Sequence, residues 1–186
     1  MCGIFAVFGY NETHTRDTLL KCSKTLRHRG PDWNGIYINE ETKVCVCHER
    51  LSIVGVNKGA QPIYDCPYNK NYVLTVNGEI YNHLGIREIV LQDRYDFTTD
   101  SDCEVILHLY REYGNKFLNM LDGVFSFALY DATENNFIVA RDPIGVNPLY
   151  YAIDNEQGIC VASEIKAIRQ WSSDVEIKIF PPGHFM

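Results

Sequence analysis

The alternation of apolar and polar residues along the chain predicts a series of short strands. Gly3–Phe8 is a continuous apolar run, which indicates a strand buried on both faces. Alternating or β-rich segments predict further strands at Gly35–Ile38, Val44–Glu49, Tyr72–Val76, Val124–Tyr130, Phe137–Arg141, Leu149–Ala152 and Ile159–Ala162. The dipeptide Asn77-Gly78 is typical of a hairpin turn, so we expect the Tyr72–Val76 strand to end there.

Helical spacing of apolar residues predicts helices between these strands. The segment Arg16–Arg27 has Thr15 as its predicted N-cap, and Leu19, Leu20, Ser23 and Leu26 lie along one side of the predicted helix. Ser101-Asp102-Cys103-Glu104 has the spacing of a capping box, and an apolar stripe follows at Val105, Ile106, Leu109 and Tyr110. Shorter helices are predicted at Leu84–Leu91 and Glu164–Arg169.

The order of these elements predicts an α+β fold in one domain. The strands fall into at least two sets with helices clustered between them, which favours two sheets packed together and covered by helices. A chain of 186 residues without a long linker, low-complexity run or internal repeat is most economically a single domain.

Composition and charge argue against nucleic acids and membranes as binding partners. An apolar fraction of 46% is typical of a globular protein, and the net charge of −7 argues against non-specific binding to nucleic acid or to anionic membranes. No segment approaches the length of a membrane span, and the opening apolar run has no basic leader. We therefore expect a small-molecule partner and a cytoplasmic location.

Seven cysteines, an odd number, are spread through core-like segments and predict reduced thiols rather than a disulfide framework. Cys45-Val46-Cys47-His48 has ligand types suited to zinc, but it lies within an alternating strand and no second pair of ligands matches it. We interpret it as a buried strand face and expect no metal.

Cys2 is the strongest candidate for chemistry. Cleavage after Met1 would place its thiol beside a free α-amine, so that one residue would carry both nucleophile and base. The amine titrates at about 7.7–8.0 and a free thiol at roughly 8.5, so each can exchange protons with the other near neutral pH. The alternative is a small apolar residue at the edge of the first strand.

Three other positions suit the binding of a charged or polar ligand. Arg50 follows a strand, and its guanidinium would match a carboxylate there, although most such arginines pair with surface acids. Asn77-Gly78 could present a side-chain amide beside a backbone N–H, the pair that stabilises an oxyanion, as an alternative to the plain hairpin turn. Asp102 could hold an ammonium group or merely complement a helix dipole.

Six segments in order resemble the class II glutamine amidotransferase domain. Within that class they are most similar to the glutamine-hydrolysing asparagine synthetases, from Cys2 to about residue 184. The segments are Met1-Cys2-Gly3-Ile4-Phe5, His28-Arg29-Gly30-Pro31-Asp32, His48-Glu49-Arg50-Leu51-Ser52-Ile53-Val54, Asn77-Gly78-Glu79-Ile80-Tyr81-Asn82-His83, Ser101-Asp102-Cys103-Glu104 and Arg141-Asp142-Pro143-Ile144-Gly145.

The resemblance implies a four-layer α-β-β-α sandwich of the N-terminal nucleophile hydrolase type and a set of roles. Cys2 would attack the side-chain amide of L-glutamine, and a γ-glutamyl thioester would be hydrolysed to L-glutamate. Asn77 and Gly78 would form the oxyanion hole. The remaining contacts to the substrate would come from Arg50 with Leu51, Ser52, Ile53 and Val54 on its α-carboxylate, and from Asp102 and Glu79 near its α-ammonium group.

The resemblance also implies a second domain that uses ATP and Mg²⁺ to convert aspartate into asparagine with the released ammonia. No Ser-Gly-Gly-x-Asp-Ser pyrophosphate loop occurs in the chain. We therefore expect residues 2–186 to form the glutaminase domain, with no cofactor of its own and an ammonia-accepting synthetase domain outside this chain. The alternatives are the glutaminase domain of another class II amidotransferase and a non-catalytic glutamine-sensing module.

Overall fold

The computed structural model describes residues 1–52, 58–66, 70–92 and 94–186. Ten strands are found in this part of the chain: β1 (Gly3–Phe8), β2 (Trp33–Asn39), β3 (Val44–Arg50), β4 (Ile63–Tyr64), β5 (Tyr72–Ile80), β6 (Gly123–Asp131), β7 (Asn136–Arg141), β8 (Tyr150–Ile153), β9 (Ile159–Ala162) and β10 (Lys178–Ile179). The α-helices are α1 (Arg16–Lys24), α2 (His83–Gly85), α3 (Val105–Tyr113) and α4 (Ile165–Trp171). A π-helical segment Ile86–Leu91 continues α2, and 3₁₀ turns at Asp102–Glu104 and Gly114–Met120 flank α3.

The strands form two antiparallel sheets. The first has the order β10-β8-β9-β1-β3-β2 and the second the order β4-β5-β6-β7. β1 lies inside the first sheet, where it pairs with β3 and β9. Its residues are buried on both faces, which explains why its sequence is a continuous apolar run rather than an alternating one.

Three apolar cores separate four layers. Ile4, Ala6 and Phe8 of β1 pack between the two sheets, whereas Phe5 and Val7 face α1 and α4 on the outer side of the first sheet. A third core joins the outer side of the second sheet to α3, with Phe117 and Phe127 among its largest members. The predicted α+β fold, a four-layer α-β-β-α sandwich, is therefore confirmed.

Most predicted elements are present, with differences at their ends. Thr15 caps α1 and forms a reciprocal pair of hydrogen bonds with Thr18, but the helix ends at Lys24 because the chain then passes into tight turns toward Gly30. The helix predicted at Leu84–Leu91 begins at His83. No helix in the described ranges is long and apolar enough to cross a membrane.

Two local predictions about turns are wrong. Asn77 and Gly78 do not form a hairpin turn, because β5 continues through them to Ile80 and pairs with β6 along its whole length. The side chain of Glu104 does not complete a capping box with Ser101. It accepts hydrogen bonds from the backbone and hydroxyl groups of Thr98 and Thr99 instead, while the Ser101 hydroxyl caps the N–H of Cys103.

Candidate active site

A cavity of about 340 Å³ lies where the start of β1 meets the ends of β3 and β5. It brings together most of the residues that the sequence singled out. The predicted site residues that line it are Cys2, Arg50, Leu51, Asn77, Gly78, Glu79 and Asp102. Further lining comes from Met1, Gly59, Gln61, Val76, Tyr81, Ser101, Cys103, Val124, Val146 and Asn147.

Cys2 is fixed by contacts to three separate parts of the chain. Its backbone N–H donates to Oδ1 of Asn77 at 2.9 Å, and its carbonyl oxygen accepts from Nε of Arg29 at 2.9 Å. The Sγ atom lies 3.4 Å from the backbone nitrogen of Leu51, which donates to it. Nitrogen and sulfur of one residue are therefore both held at the cavity, and exposed Met1 lies next to them.

The electrostatic surroundings distinguish Cys2 from Cys103, the other cysteine of the cavity. Burial raises the pKa of the Cys2 thiol, while the Leu51 N–H and the positive charges of the chain terminus, Arg50 and Arg29 oppose the rise. Burial raises the pKa of Cys103 well above its ordinary value, and the neighbouring carboxylate of Asp102 raises it further. Cys2 is therefore the better nucleophile of the two.

Asn77 and Gly78 reach the cavity from the interior of β5. The side chain of Asn77 is buried, with Oδ1 on the Cys2 nitrogen and Nδ2 donating to Oδ1 of Asn147 at 3.2 Å. At Gly78 a Cβ atom would lie 2.4 Å from the carbonyl oxygen of Val124. Only glycine lets the backbone of β6 approach this closely. Because Gly78 has no side chain, the backbone of β5 is also open to the cavity at this position.

Asp102 and Glu79 supply carboxylates to the cavity. Asp102 is buried in the 3₁₀ turn before α3, and its Oδ2 accepts from the backbone N–H of Ile80 at 2.6 Å. Because an ionised carboxylate offers about four acceptor positions, this bond leaves capacity for a ligand. Glu79 is exposed and also lines the cavity.

Not every predicted binding residue is brought to the cavity. Ser52 is not among the described residues that line it, and its backbone N–H donates to Oδ2 of Asp32 at 2.8 Å. Ile53 and Val54 lie outside the described residues.

Two residues at the site had no predicted role. Arg29 holds the carbonyl of Cys2, and its Nη1 bonds Glu164 at 3.1 Å. Hydrogen bonds from Lys166, Arg29 and His28 outweigh the effect of burial on Glu164 and lower its pKa, which favours the ionised form. Asn147 contacts Asn77 from the loop after β7. In the sequence, Arg29 is one charged residue next to a Gly-Pro turn, and Asn147 is one of many asparagines. Their spacing therefore gave no signal for either role.

Neither a metal nor a disulfide is indicated by the described residues. No group of three or more His, Cys, Asp and Glu side chains among them is arranged to hold a metal ion. Cys45 and Cys47 point from β3 toward α1, and their sulfur atoms are 3.5 Å apart within a core of apolar side chains. All seven cysteines are free thiols.

Known proteins share both the sequence and the fold of this chain. It is 47% identical over 188 residues to a probable glutamine-hydrolysing asparagine synthetase of Dictyostelium discoideum, covering 100% of this chain and 33% of that protein. It is equally similar to asparagine synthetase B of Escherichia coli, with 47% identity and the same coverage. A probable asparagine synthetase of Schizosaccharomyces pombe is 50% identical over 189 residues. The chain thus spans 33% of the length of each of these relatives.

Solved structures extend the likeness to the fold. An allosteric regulatory enzyme of purine biosynthesis superimposes with a TM-score of 0.81 at 23% identity, covering 99% of this chain and 46% of that chain. A glutamine phosphoribosylpyrophosphate amidotransferase from Bacillus subtilis gives the same TM-score at 24% identity and with the same coverage. A family model described as a glutamine amidotransferase domain matches residues 1–181. On this match over almost its whole length, the chain belongs to the glutamine amidotransferase domain family.

Proposed function

We propose that this domain hydrolyses L-glutamine to L-glutamate and ammonia through a thioester at Cys2. One observation carries the proposal: the nitrogen and sulfur of Cys2 are held at one cavity, the nitrogen 2.9 Å from Asn77 Oδ1 and the sulfur 3.4 Å from the Leu51 nitrogen. Once Met1 is removed, that nitrogen becomes an α-amine able to accept the thiol proton.

The reaction would proceed in two displacements. The α-amine takes the proton of the thiol, and the sulfur attacks the carboxamide carbon to give a tetrahedral oxyanion. Donors from Asn77 Nδ2 and the Gly78 N–H stabilise this oxyanion. The C–N bond then breaks, the ammonium group of Cys2 returns its proton to the departing ammonia, and water hydrolyses the γ-glutamyl thioester to glutamate and free thiol.

Charges at the cavity support the choice of an amino acid as substrate. Arg50, 7% exposed, offers a guanidinium fork that suits an α-carboxylate, and Leu51 lines the cavity next to it. Asp102, also 7% exposed, and Glu79 suit an α-ammonium group. A simple carboxamide lacks these two charged ends, so it would make neither contact, and we expect it to be a poor substrate.

We infer further that the ammonia serves an ATP-dependent conversion of aspartate to asparagine. The names of the relatives that are 47% identical to the chain support this acceptor. ATP and Mg²⁺ would be needed only by a synthetase domain, the partner that takes up the ammonia, and residues 2–186 would need no cofactor. Seven free thiols support a reducing, cytoplasmic setting.

The variant Cys2→Ala tests the activity. We expect it to lower glutamate release from glutamine by at least about 10³-fold with an unchanged melting temperature, because the nucleophile is lost and the fold is not. Cys66→Ala is the matched control, since Cys66 is partly exposed and is not among the described residues of the cavity wall. Unchanged release by Cys2→Ala would refute the proposed function.

Intact mass separates an enzyme from a glutamine-sensing module. A chain that starts at Cys2 and releases glutamate is the enzyme. A chain that keeps Met1, binds glutamine and releases none would be the sensor, because the nitrogen of Cys2 then remains a peptide N–H that cannot accept a proton.

A further inference from the structure

The loop from β7 to β8, residues 142–149, places a second amide against Asn77. Asn147 is 4% exposed and lines the cavity, and its Oδ1 accepts from Nδ2 of Asn77 at 3.2 Å. The other end of the Asn77 amide, Oδ1, accepts from the nitrogen of Cys2. The three residues therefore form one chain of hydrogen bonds that ends at the nucleophile.

This loop is held rigidly by Arg141 and Asp142. The guanidinium of Arg141 donates to the carbonyl oxygens of Asn147 at 2.8 Å, Gly145 at 2.7 Å and Phe180 at 2.7 Å. The fully buried carboxylate of Asp142 accepts from three backbone N–H groups, at Phe125, Ile144 and Gly145. The backbone at Asn147 is thus held in place, with the side-chain Oδ1 of Asn147 3.2 Å from Nδ2 of Asn77.

The Oδ1 acceptor of Asn147 favours one orientation of the Asn77 amide relative to Cys2. The two ends of an amide have nearly the same shape, but Asn147 Oδ1 can only receive a hydrogen from the NH₂ end. If the amide turned over, its NH₂ group would face the Cys2 nitrogen. It would oppose the N–H donors of the ammonium form, and in the neutral amine it would occupy the lone pair that takes the thiol proton. The bond to Asn147 therefore keeps Oδ1 on the nitrogen and leaves the second hydrogen of Nδ2 for another acceptor.

We propose that Asn147 is a positioning residue for glutamine hydrolysis, which orients the Asn77 amide so that Oδ1 holds the α-amine of Cys2 and Nδ2 donates to the oxyanion. The inference rests on the proposed function. It assigns Asn147 no contact with the α-carboxylate or α-ammonium ends of the substrate, so its loss acts on turnover rather than on binding.

Two substitutions separate the acceptor from the shape of the side chain. Asn147→Leu keeps a similar volume without an acceptor, and we expect kcat to fall at least about 10-fold with KM within about 2-fold of the unsubstituted domain. Asn147→Asp keeps an acceptor for Nδ2, and its kcat should stay several-fold above that of Asn147→Leu. Asn155→Leu, at an exposed position in the turn after β8, is the matched control for introducing leucine.

The pH profile of kcat/KM gives a readout that general loosening of the fold would not move. The bond to Asn77 Oδ1 favours the protonated amine, so its loss in Asn147→Leu should shift the acidic limb to lower pH by roughly half a unit or more. In Asn147→Asp the limb should stay in place or move to higher pH, because a carboxylate favours the ammonium form. Asn147→Ala replaces the leucine variant if that variant does not fold.

The outcomes distinguish this inference from the proposed function. If the unsubstituted domain, processed to Cys2, releases no glutamate, the proposed function fails. If it is active and Asn147→Leu has the same kcat and pH profile, the positioning role is wrong. Equal losses in the leucine and aspartate variants, or a loss confined to KM, would also overturn the role, because neither follows from an amide orientation.

Discussion

Nε of Arg29 donates to the carbonyl oxygen of Cys2 at 2.9 Å, from a side chain that is only 9% exposed. The same guanidinium bonds Glu164 through Nη1 at 3.1 Å. This contact fixes the carbonyl end of Cys2, while its nitrogen and sulfur are held by Asn77 Oδ1 and the Leu51 N–H. The positive charge of Arg29 also lowers the pKa of the Cys2 thiol, against the larger effect of burial.

We predict that Arg29→Gln reduces turnover and changes the acidity of the nucleophile. Loss of the carbonyl contact should lower kcat for glutamine by roughly 10- to 100-fold, because small misplacements of reacting groups are costly. Loss of the charge should raise the pKa of the Cys2 thiol, measured as the pH dependence of its alkylation by iodoacetamide. Arg29→Lys keeps the charge but not the planar fork, so it should lose turnover with a smaller change in pKa.

Arg16→Gln is the control for Arg29→Gln, because Arg16 is exposed at the start of α1. It removes the same charge without touching Cys2, and both its kcat and its alkylation profile should match those of the unsubstituted domain. If Arg29→Gln behaves like Arg16→Gln, the carbonyl contact has no part in positioning the nucleophile.

Arg50→Ala tests the recognition of the α-carboxylate. We expect KM for glutamine to rise by about 10- to 100-fold, since a hydrogen bond to a charged group contributes about 1.5–3 kcal/mol. The effect on kcat should be smaller, because the clamp acts in ground state and transition state alike. Steady-state glutamate release gives both constants.

A substrate analogue provides the control for Arg50. 4-Aminobutanamide has the carboxamide and the amine of glutamine but no α-carboxylate, so its kcat/KM should be nearly the same with Arg50 and with Arg50→Ala. An equal loss on both substrates would show that Arg50 acts on the nucleophile and not on the carboxylate.

Local sequence patterns predicted most of the fold but not the contacts that orient Cys2. β1 and β9 have their predicted bounds. Both strands lie between two neighbouring strands and are largely buried, and this burial is visible in the sequence as short apolar runs. Asn77-Gly78 was misjudged because the preference of this dipeptide for a turn is overridden by the ladder with β6. The roles of Arg29 and Asn147 arise from contacts across 27 and 70 residues, and no local pattern encodes these.

Buried His48 should make the domain sensitive to acid. Burial, helped by the charge of Arg50, lowers its pKa to about 3, and Nδ1 bonds the Thr75 hydroxyl at 2.9 Å. An unfolded histidine titrates near 6.5, so the unfolded state binds more protons between these values and the free energy of unfolding falls as pH drops below about 6.5. Between pH 7.5 and pH 5.0, this histidine alone should lower the free energy of unfolding by about 2 kcal/mol, which urea unfolding at the two pH values would measure. His48→Gln should remove that part of the pH dependence, even if the substitution also changes the free energy of unfolding at pH 7.5. Replacement of exposed His28 by glutamine is the control and should leave the pH dependence unchanged. An equally steep pH dependence in His48→Gln would show that His48 is not its source.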